Sequence, residues 1–75
     1  MVTPLVPVAM KPIRIRSGKT KAQVAREAGM QAGLIGWIEE GRFIPYDSQL
    51  EKIARVLGID EPETLMEPVK EDINA

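Results

Sequence analysis

The sequence predicts an all-α protein, a compact bundle of about five short helices. In the middle of the chain, apolar residues recur at the three- and four-residue spacing of a helix face. Glycines follow these apolar runs, where helices commonly end in a left-handed residue, and pairs such as Thr20 and Gln23 are typical of helix starts. With 75 residues, the chain forms one small domain, near the lower size limit for a core without disulfides or metals.

The first segment, residues 1–11, is expected to form an extended N-terminal arm. It is apolar, but Pro4 and Pro7 interrupt it, and each proline pushes the preceding residue toward an extended conformation. The arm either is disordered or docks against the body of the domain or a second subunit. Pro12 suits the first turn of a short first helix, where its missing N–H group is not needed, and Gly18 is expected to end that helix.

The second and third predicted helices are joined at Gly29. Thr20 and Gln23 form a predicted capping box, in which each side chain satisfies a backbone N–H group of the other residue. Gly29 is expected to end the second helix with a positive φ angle. A third helix is predicted from about residue 31 to residue 40, and its inward apolar residues are Leu34, Ile35 and Ile38.

The fourth predicted helix has one buried face, with apolar residues at i, i+3, i+4 and i+7: Leu50, Ile53, Ala54 and Leu57. Gly58 is expected to end this helix. Asp60 and Glu63 repeat the capping pattern at the start of a fifth short helix. The helical domain is therefore predicted to span residues 12–67, and a flexible tail is expected at residues 68–75.

Cysteine and histidine are absent from the chain. Their absence argues against disulfide frameworks and common zinc sites, and it removes the usual general base at neutral pH. We therefore expect neither an enzyme nor a bound metal or cofactor. No segment approaches the roughly 20 apolar residues that a transmembrane helix needs, so a cytoplasmic protein is expected.

Charge is distributed unevenly along the chain, although the formal net charge is only -1. Residues 11–45 are basic, whereas acidic residues dominate from residue 46 onward. A basic surface on one side of the domain suits nucleic acid, and the alternative is an ordinary solvated face. The basic residues of the first half are Lys11, Arg14, Arg16, Lys19, Lys21, Arg26 and Arg42.

Residues 20–45 have the spacing of two short helices joined by a glycine turn, with the second helix presented outward, which is a helix-turn-helix. Four motifs follow one another within residues 13–65: R-x-x-x-G at Arg14, T-x-x-x-V-A-x-x-A-G-M at Thr20, I-x-x-I-E-x-G-x-x-x-P at Ile35 and L-x-x-I-A-x-x-L-G-I at Leu50. Through these motifs, the segment resembles the phage repressor and Cro family of helix-turn-helix proteins. The resemblance implies that the third helix enters the major groove and that dimers read symmetric half-sites.

The resemblance also implies roles for individual residues. Arg14 and Glu39 match an arginine and a glutamate that form a partly buried structural ion pair between helices. The resemblance places the contacts to bases and base edges at Lys21, Ala32, Gly33 and Trp37. Beyond these positions, Gln31 and Gly36 are also expected to contact DNA. The expected contacts to phosphates are Arg16, Lys19 and Arg42.

The outward face of the third helix is poor in hydrogen-bonding side chains. Base identity in the major groove is read mainly through donors and acceptors, yet Ala32, Gly33 and Gly36 offer none. Each glycine also weakens a helix by about 1 kcal/mol relative to alanine, which we explain by close approach to DNA or to a partner's helix. Trp37 is predicted to point outward, and the alternative is that it packs on the loop after this helix.

The leading hypothesis is a sequence-specific DNA-binding transcriptional regulator, a repressor or an accessory factor, that binds double-stranded DNA as a homodimer. Its subunits are expected to pair through an apolar surface formed by Val56, Ile59, Leu65, Met66 and Val69. The alternative is a protein-interaction module, an antagonist or adaptor of another regulator, that docks through Gly33, Gly36 and Trp37. A third possibility is an antitoxin whose N-terminal arm binds the toxin.

Overall fold

The computed structural model describes residues 8–69, and within them the protein is all-helical. Its elements are α1 (Met10–Arg16), α2 (Lys21–Ala28), α3 (Ala32–Glu39), α4 (Asp47–Leu57) and a 3₁₀ helix (Pro62–Met66). The predicted all-α class is confirmed. None of these helices has the length and apolar character that a membrane span requires. The expectations for residues 1–7 and 70–75 lie outside the described residues.

The predicted count of about five helices is slightly too high, because the last of the five segments forms a 3₁₀ helix. The segment has five residues and contains Pro62 in its first turn. Short runs are usual for 3₁₀ helices, since their hydrogen-bond geometry is poorer than that of an α-helix. Glu61, and not the expected Asp60, is the N-cap residue, and its side chain makes no capping hydrogen bond.

Helix α1 begins at Met10, two residues before the predicted Pro12. Val8 is buried and Met10 is completely buried. Val8 also forms an isolated antiparallel bridge with Pro68. Residues 8–11, which were expected in the arm, are therefore part of the folded domain, because Val8 and Met10 gain their burial by packing against distant segments of the chain.

The boundaries of α2 follow from local sequence signals. The Gln23 N–H group donates to the Thr20 hydroxyl at 3.1 Å, and the Thr20 N–H group donates to the Gln23 side-chain oxygen at 2.8 Å. This capping box was predicted and is confirmed. At the other end, Gly29 has a φ of 72°, as expected, and the Met30 N–H group donates to the Ala25 carbonyl at 2.7 Å. The chain is thereby turned from α2 into α3.

The core lies where α2 packs against both α3 and α4. Ala25 and Ala28 are buried in α2, and such small side chains let neighbouring helices approach closely. Helix α3 contributes Ile35 and Ile38 from one side, so its opposite side is left at the surface. The buried apolar residues are Val8, Met10, Val24, Ala25, Ala28, Ile35, Ile38, Leu50, Ile53, Ala54, Leu57 and Leu65.

Candidate nucleic-acid interface

A buried ion pair connects the end of α3 to α1. Arg14 Nε lies 2.6 Å from Glu39 Oε2, and Nη2 of the same guanidinium lies 3.2 Å from Glu39 Oε1. The third nitrogen, Nη1, donates to the Lys19 carbonyl at 2.9 Å. Arg14 is 8% exposed and Glu39 only 2%. The structure thus brings together the two residues that the family resemblance pairs, and their contacts fix α3 relative to α1 and to the segment before α2.

The side of α3 that faces away from the core starts with three exposed residues, Gln31, Ala32 and Gly33. Trp37 is on the same helix and is 56% exposed, so it is not buried beneath the loop that follows α3. Gln31 is the N-cap residue, but its side chain makes no capping hydrogen bond. Its amide group is therefore not engaged at the helix start and can serve an external partner.

A small cleft lies on this exposed side of α3. Its lining residues are Gln31, Gly33, Leu34 and Trp37, and its volume is about 120 Å³. A Cβ atom placed on Gly33 would meet none of the described atoms within 4 Å, so the space beside this glycine is open. Among the lining side chains, only the Gln31 amide and the Trp37 indole N–H group are polar. The cleft is therefore a mainly apolar surface to which two residues bring hydrogen-bonding groups.

Gly36 does not belong to the exposed side of α3, which corrects its assignment as a contact residue. It is buried, and a Cβ atom placed on it would lie 3.6 Å from Lys21 Nζ and 3.8 Å from Lys21 Cδ. The Lys21 side chain, from the first turn of α2, therefore covers Gly36. The Lys21 ammonium group thus lies beside α3.

Two of the expected phosphate-binding side chains already have acidic partners. Lys19 Nζ lies 3.1 Å from Glu27 Oε1, and Arg42 Nε lies 2.7 Å from Glu40 Oε1. These side chains are partly exposed, and exposed pairs stabilise by no more than about 1 kcal/mol. A phosphate group can therefore replace either carboxylate. Arg16, the remaining expected phosphate contact, is exposed at the end of α1.

Sequence reasoning missed both acidic partners. Glu40 is close to Arg42 in the chain, so its position was a visible signal. Glu27 lies on α2, whereas Lys19 precedes that helix, and no helical spacing rule predicts their contact. Proximity in the chain could therefore have identified the pair of Arg42 and Glu40, but not the pair of Lys19 and Glu27.

The apolar residues expected at a dimer interface are not equally available at the surface. Leu65 is completely buried, because it completes the core where the 3₁₀ helix packs on α4, and this corrects its assignment as an interface residue. Val56, Ile59 and Met66 are half-buried and pack against the core. Val69 is half-buried as well. Val56, Ile59, Met66 and Val69 therefore leave part of their surface for a partner.

The fold and the exposed side of α3 define a helix-turn-helix protein. A family model described as a helix-turn-helix domain matches residues 9–65, which is more than half of the chain. The protein therefore belongs to the helix-turn-helix domain family.

A solved structure of similar fold is the crystal structure of the hypothetical transcription factor NHTF from Neisseria. The two chains align with a TM-score of 0.69 at 22% sequence identity, and the match covers 91% of this chain and 86% of the other. At this identity the likeness shows the shared fold alone. No curated protein matches the sequence.

Proposed function

We propose that the protein is a DNA-binding transcriptional regulator of the phage repressor and Cro type, which inserts α3 into the major groove. The observation that carries this proposal is the open outer side of α3, which stands beside the Lys21 ammonium group. The ion pair between Arg14 and Glu39 holds the helix in place. An α-helix fits the major groove of B-form DNA, and a fixed helix with an open outer side is what insertion requires.

Base edges would be contacted mainly by the first half of α3. Gln31 can form two hydrogen bonds to adenine N6 and N7, and Ala32 can contact a thymine methyl group. Lys21 supplies positive charge to base edges or to neighbouring phosphates. Trp37, farther along α3, adds an apolar contact. Few side chains at this surface can form hydrogen bonds with bases, so each of them contributes a large share of the sequence specificity.

The DNA backbone would be held by Arg16, Lys19 and Arg42. These residues lie at the end of α1, before α2 and after α3. The N-terminus of α2 adds backbone N–H groups and a favourable helix dipole. Phosphate contacts give affinity without sequence information, and the affinity they supply falls as the salt concentration rises.

A homodimer would read a near-palindromic site, acting as a repressor or an accessory factor. In dimers of this kind, two recognition helices enter half-sites about 34–36 Å apart along the DNA. Pairing of the subunits would use the half-buried apolar surface at the C-terminal end of the domain. The residues of that surface are Val56, Ile59, Met66 and Val69.

Selection of bound duplexes from a random pool, at low and at physiological salt, tests the proposal. We expect a roughly symmetric motif that persists at physiological salt. Gln31→Ala should relax this motif at one position and leave the protein folded, because the side chain makes no capping bond. Lys52→Ala, an exposed change on α4, is the matched control and should leave the motif unchanged. If no motif is enriched and weak binding disappears on adding salt, sequence-specific regulation is contradicted.

The exposed Trp37 favours a second candidate function, a protein-interaction module that antagonises or adapts another DNA-binding regulator. A half-exposed tryptophan beside an apolar cleft is typical of a protein-interface hot spot. Trp37→Ala would then cost at least about 2 kcal/mol of binding to the partner regulator. A DNA complex dominated by phosphate contacts would lose much less, so measuring the variant against both partners separates the two functions.

A further inference from the structure

We infer that the cleft on α3 recognises the C5 methyl group of a thymine, so that the protein reads an A·T base pair mainly through apolar contact. This inference rests on the proposed DNA binding and names the base that the same surface selects. It concerns the cleft lined by Gln31, Gly33, Leu34 and Trp37.

The residues of α3 argue against guanine as the main base read by this helix. The commonest specific contact to guanine is a pair of hydrogen bonds from an arginine or a lysine, and Ala32–Glu39 contains neither residue. Two cations of other elements lie against α3: the Lys21 ammonium group of α2 lies over Gly36, and the Arg14 guanidinium of α1 is buried in its ion pair with Glu39. Helix α3 itself therefore offers one amide, one indole and otherwise apolar surface.

The cleft has room and apolar walls for a methyl group. Its volume is about 120 Å³, and the open space beside Gly33 lets a base edge approach the helix backbone more closely than any other residue would allow. Trp37 and Leu34 provide apolar walls. Among the unmodified bases of DNA, thymine alone presents an apolar group in the major groove, its C5 methyl. Thymine is therefore the base that this cleft fits.

Gln31 extends the recognition from a thymine to a short A·T sequence. Gln31 lines the cleft, and its side chain makes no capping hydrogen bond within α3. A glutamine side chain pairs with adenine through N6 and N7. The Gln31 amide would therefore pair with an adenine next to, or paired with, the thymine whose methyl group the cleft receives.

Replacing individual thymines by deoxyuridine in the selected duplex tests the inference, because uracil differs from thymine only by the missing methyl group. We expect one thymine in each half-site at which this replacement weakens binding about fourfold. This is the loss of affinity expected when one methyl group is no longer buried on binding. Replacement at thymines outside the motif is the control and should change nothing. The protein is unaltered in these measurements, so a folding defect cannot produce the result.

The Trp37→Ala variant shows whether the methyl group contacts the cleft. This side chain is largely exposed, so the variant should fold. Its preference for thymine over uracil at the sensitive position should fall well below fourfold, because one of the two apolar walls of the cleft is gone. A fourfold difference that persists in the variant would overturn the assignment to the cleft.

The possible results also separate this inference from the proposed function. A motif that is enriched but indifferent to uracil at every thymine would overturn methyl recognition and leave DNA-binding regulation standing. A pool without any enriched motif would overturn both. A uracil-sensitive thymine whose effect is clearly reduced in Trp37→Ala supports both.

Discussion

Helices α2 and α3 each contain eight residues, but the sequence stabilises them in different ways. Helix α2 begins with a complete capping box and ends at Gly29 in the left-handed conformation. Helix α3 has Gln31 as its N-cap residue, without a capping hydrogen bond, and it contains Gly33 and Gly36. Its two glycines and missing cap cost about 2–3 kcal/mol relative to a capped, alanine-containing helix.

Tertiary contacts offset this weakness of α3. Ile35 and Ile38 are completely buried, and burying two such side chains contributes about 3–6 kcal/mol. Glu39 adds the ion pair with Arg14. Because the buried side holds the helix in place, the outer side can carry residues that suit a ligand and not a helix. The difference between α2 and α3 thus teaches that a recognition surface can be locally unfavourable when the opposite side is well anchored.

The largest effect is expected from breaking the anchor of α3. Glu39→Ala leaves the Arg14 guanidinium buried without its carboxylate, and we expect a loss of about 3–5 kcal/mol in the free energy of unfolding. Glu40→Ala is the matched control, because Glu40 is exposed and paired with exposed Arg42, and it should cost less than about 1 kcal/mol. Urea denaturation followed by circular dichroism measures both. Similar small losses for the two variants would mean that Arg14 does not depend on the pair.

A smaller effect is expected from removing the cap of α2. Thr20→Ala eliminates the hydroxyl that accepts the Gln23 N–H group, and such changes typically cost about 1 kcal/mol. Gln31→Ala, at the corresponding position of α3, should lower the free energy of unfolding by only about a few tenths of a kcal/mol, since no capping bond is lost there. The same denaturation experiment compares the two. Equal losses would contradict the contrast between the helix starts.

This contrast also explains how much could be predicted from sequence. The ends of α2 were predictable because Thr20, Gln23 and Gly29 act through neighbours within a few residues. The burial of Gly36 was not, since the side chain that covers it comes from α2. The start of α1 was not predictable either, because it depends on contacts with distant segments of the chain.

At the candidate site, the sequence showed which types of residue are present. It did not show which of their side chains are exposed and which are covered or paired. Helical periodicity indicated that Trp37 is exposed and that Ile38 is inward, and the structure agrees. The same periodicity did not reveal that Leu65 is needed to complete the core. The contact between Lys19 and Glu27 was equally hidden, because its partners belong to different segments. Local patterns specify which side of a helix is apolar, whereas the chain segments that cover it are set by the whole fold.

Gly33→Ala should raise stability and lower DNA affinity. The new Cβ atom would meet none of the described atoms within 4 Å, and alanine favours a helix by about 1 kcal/mol over glycine. The same methyl group would occupy the cleft and hold DNA farther from the helix. Gly36→Ala is the comparison, since its Cβ atom would only contact Lys21 at 3.6 Å and leave the cleft open. Thermal unfolding and duplex binding measure the two effects, and unchanged DNA affinity of Gly33→Ala would contradict close approach at this position.

The smallest effect on stability, but a distinct effect on binding, is expected from the exposed pair that follows α3. If Arg42 contacts a phosphate, Arg42→Gln should reduce the slope of log affinity against log salt by about one unit. Glu40→Gln should act in the opposite direction, raising affinity at low salt, because the carboxylate 2.7 Å from Arg42 Nε competes with the phosphate. The free energy of unfolding of both variants should differ from that of the unaltered protein by no more than about 1 kcal/mol. An unchanged salt slope in Arg42→Gln would assign Arg42 to the solvated surface, and DNA would then be held from the side of α1 and α2, through Arg16 and Lys19.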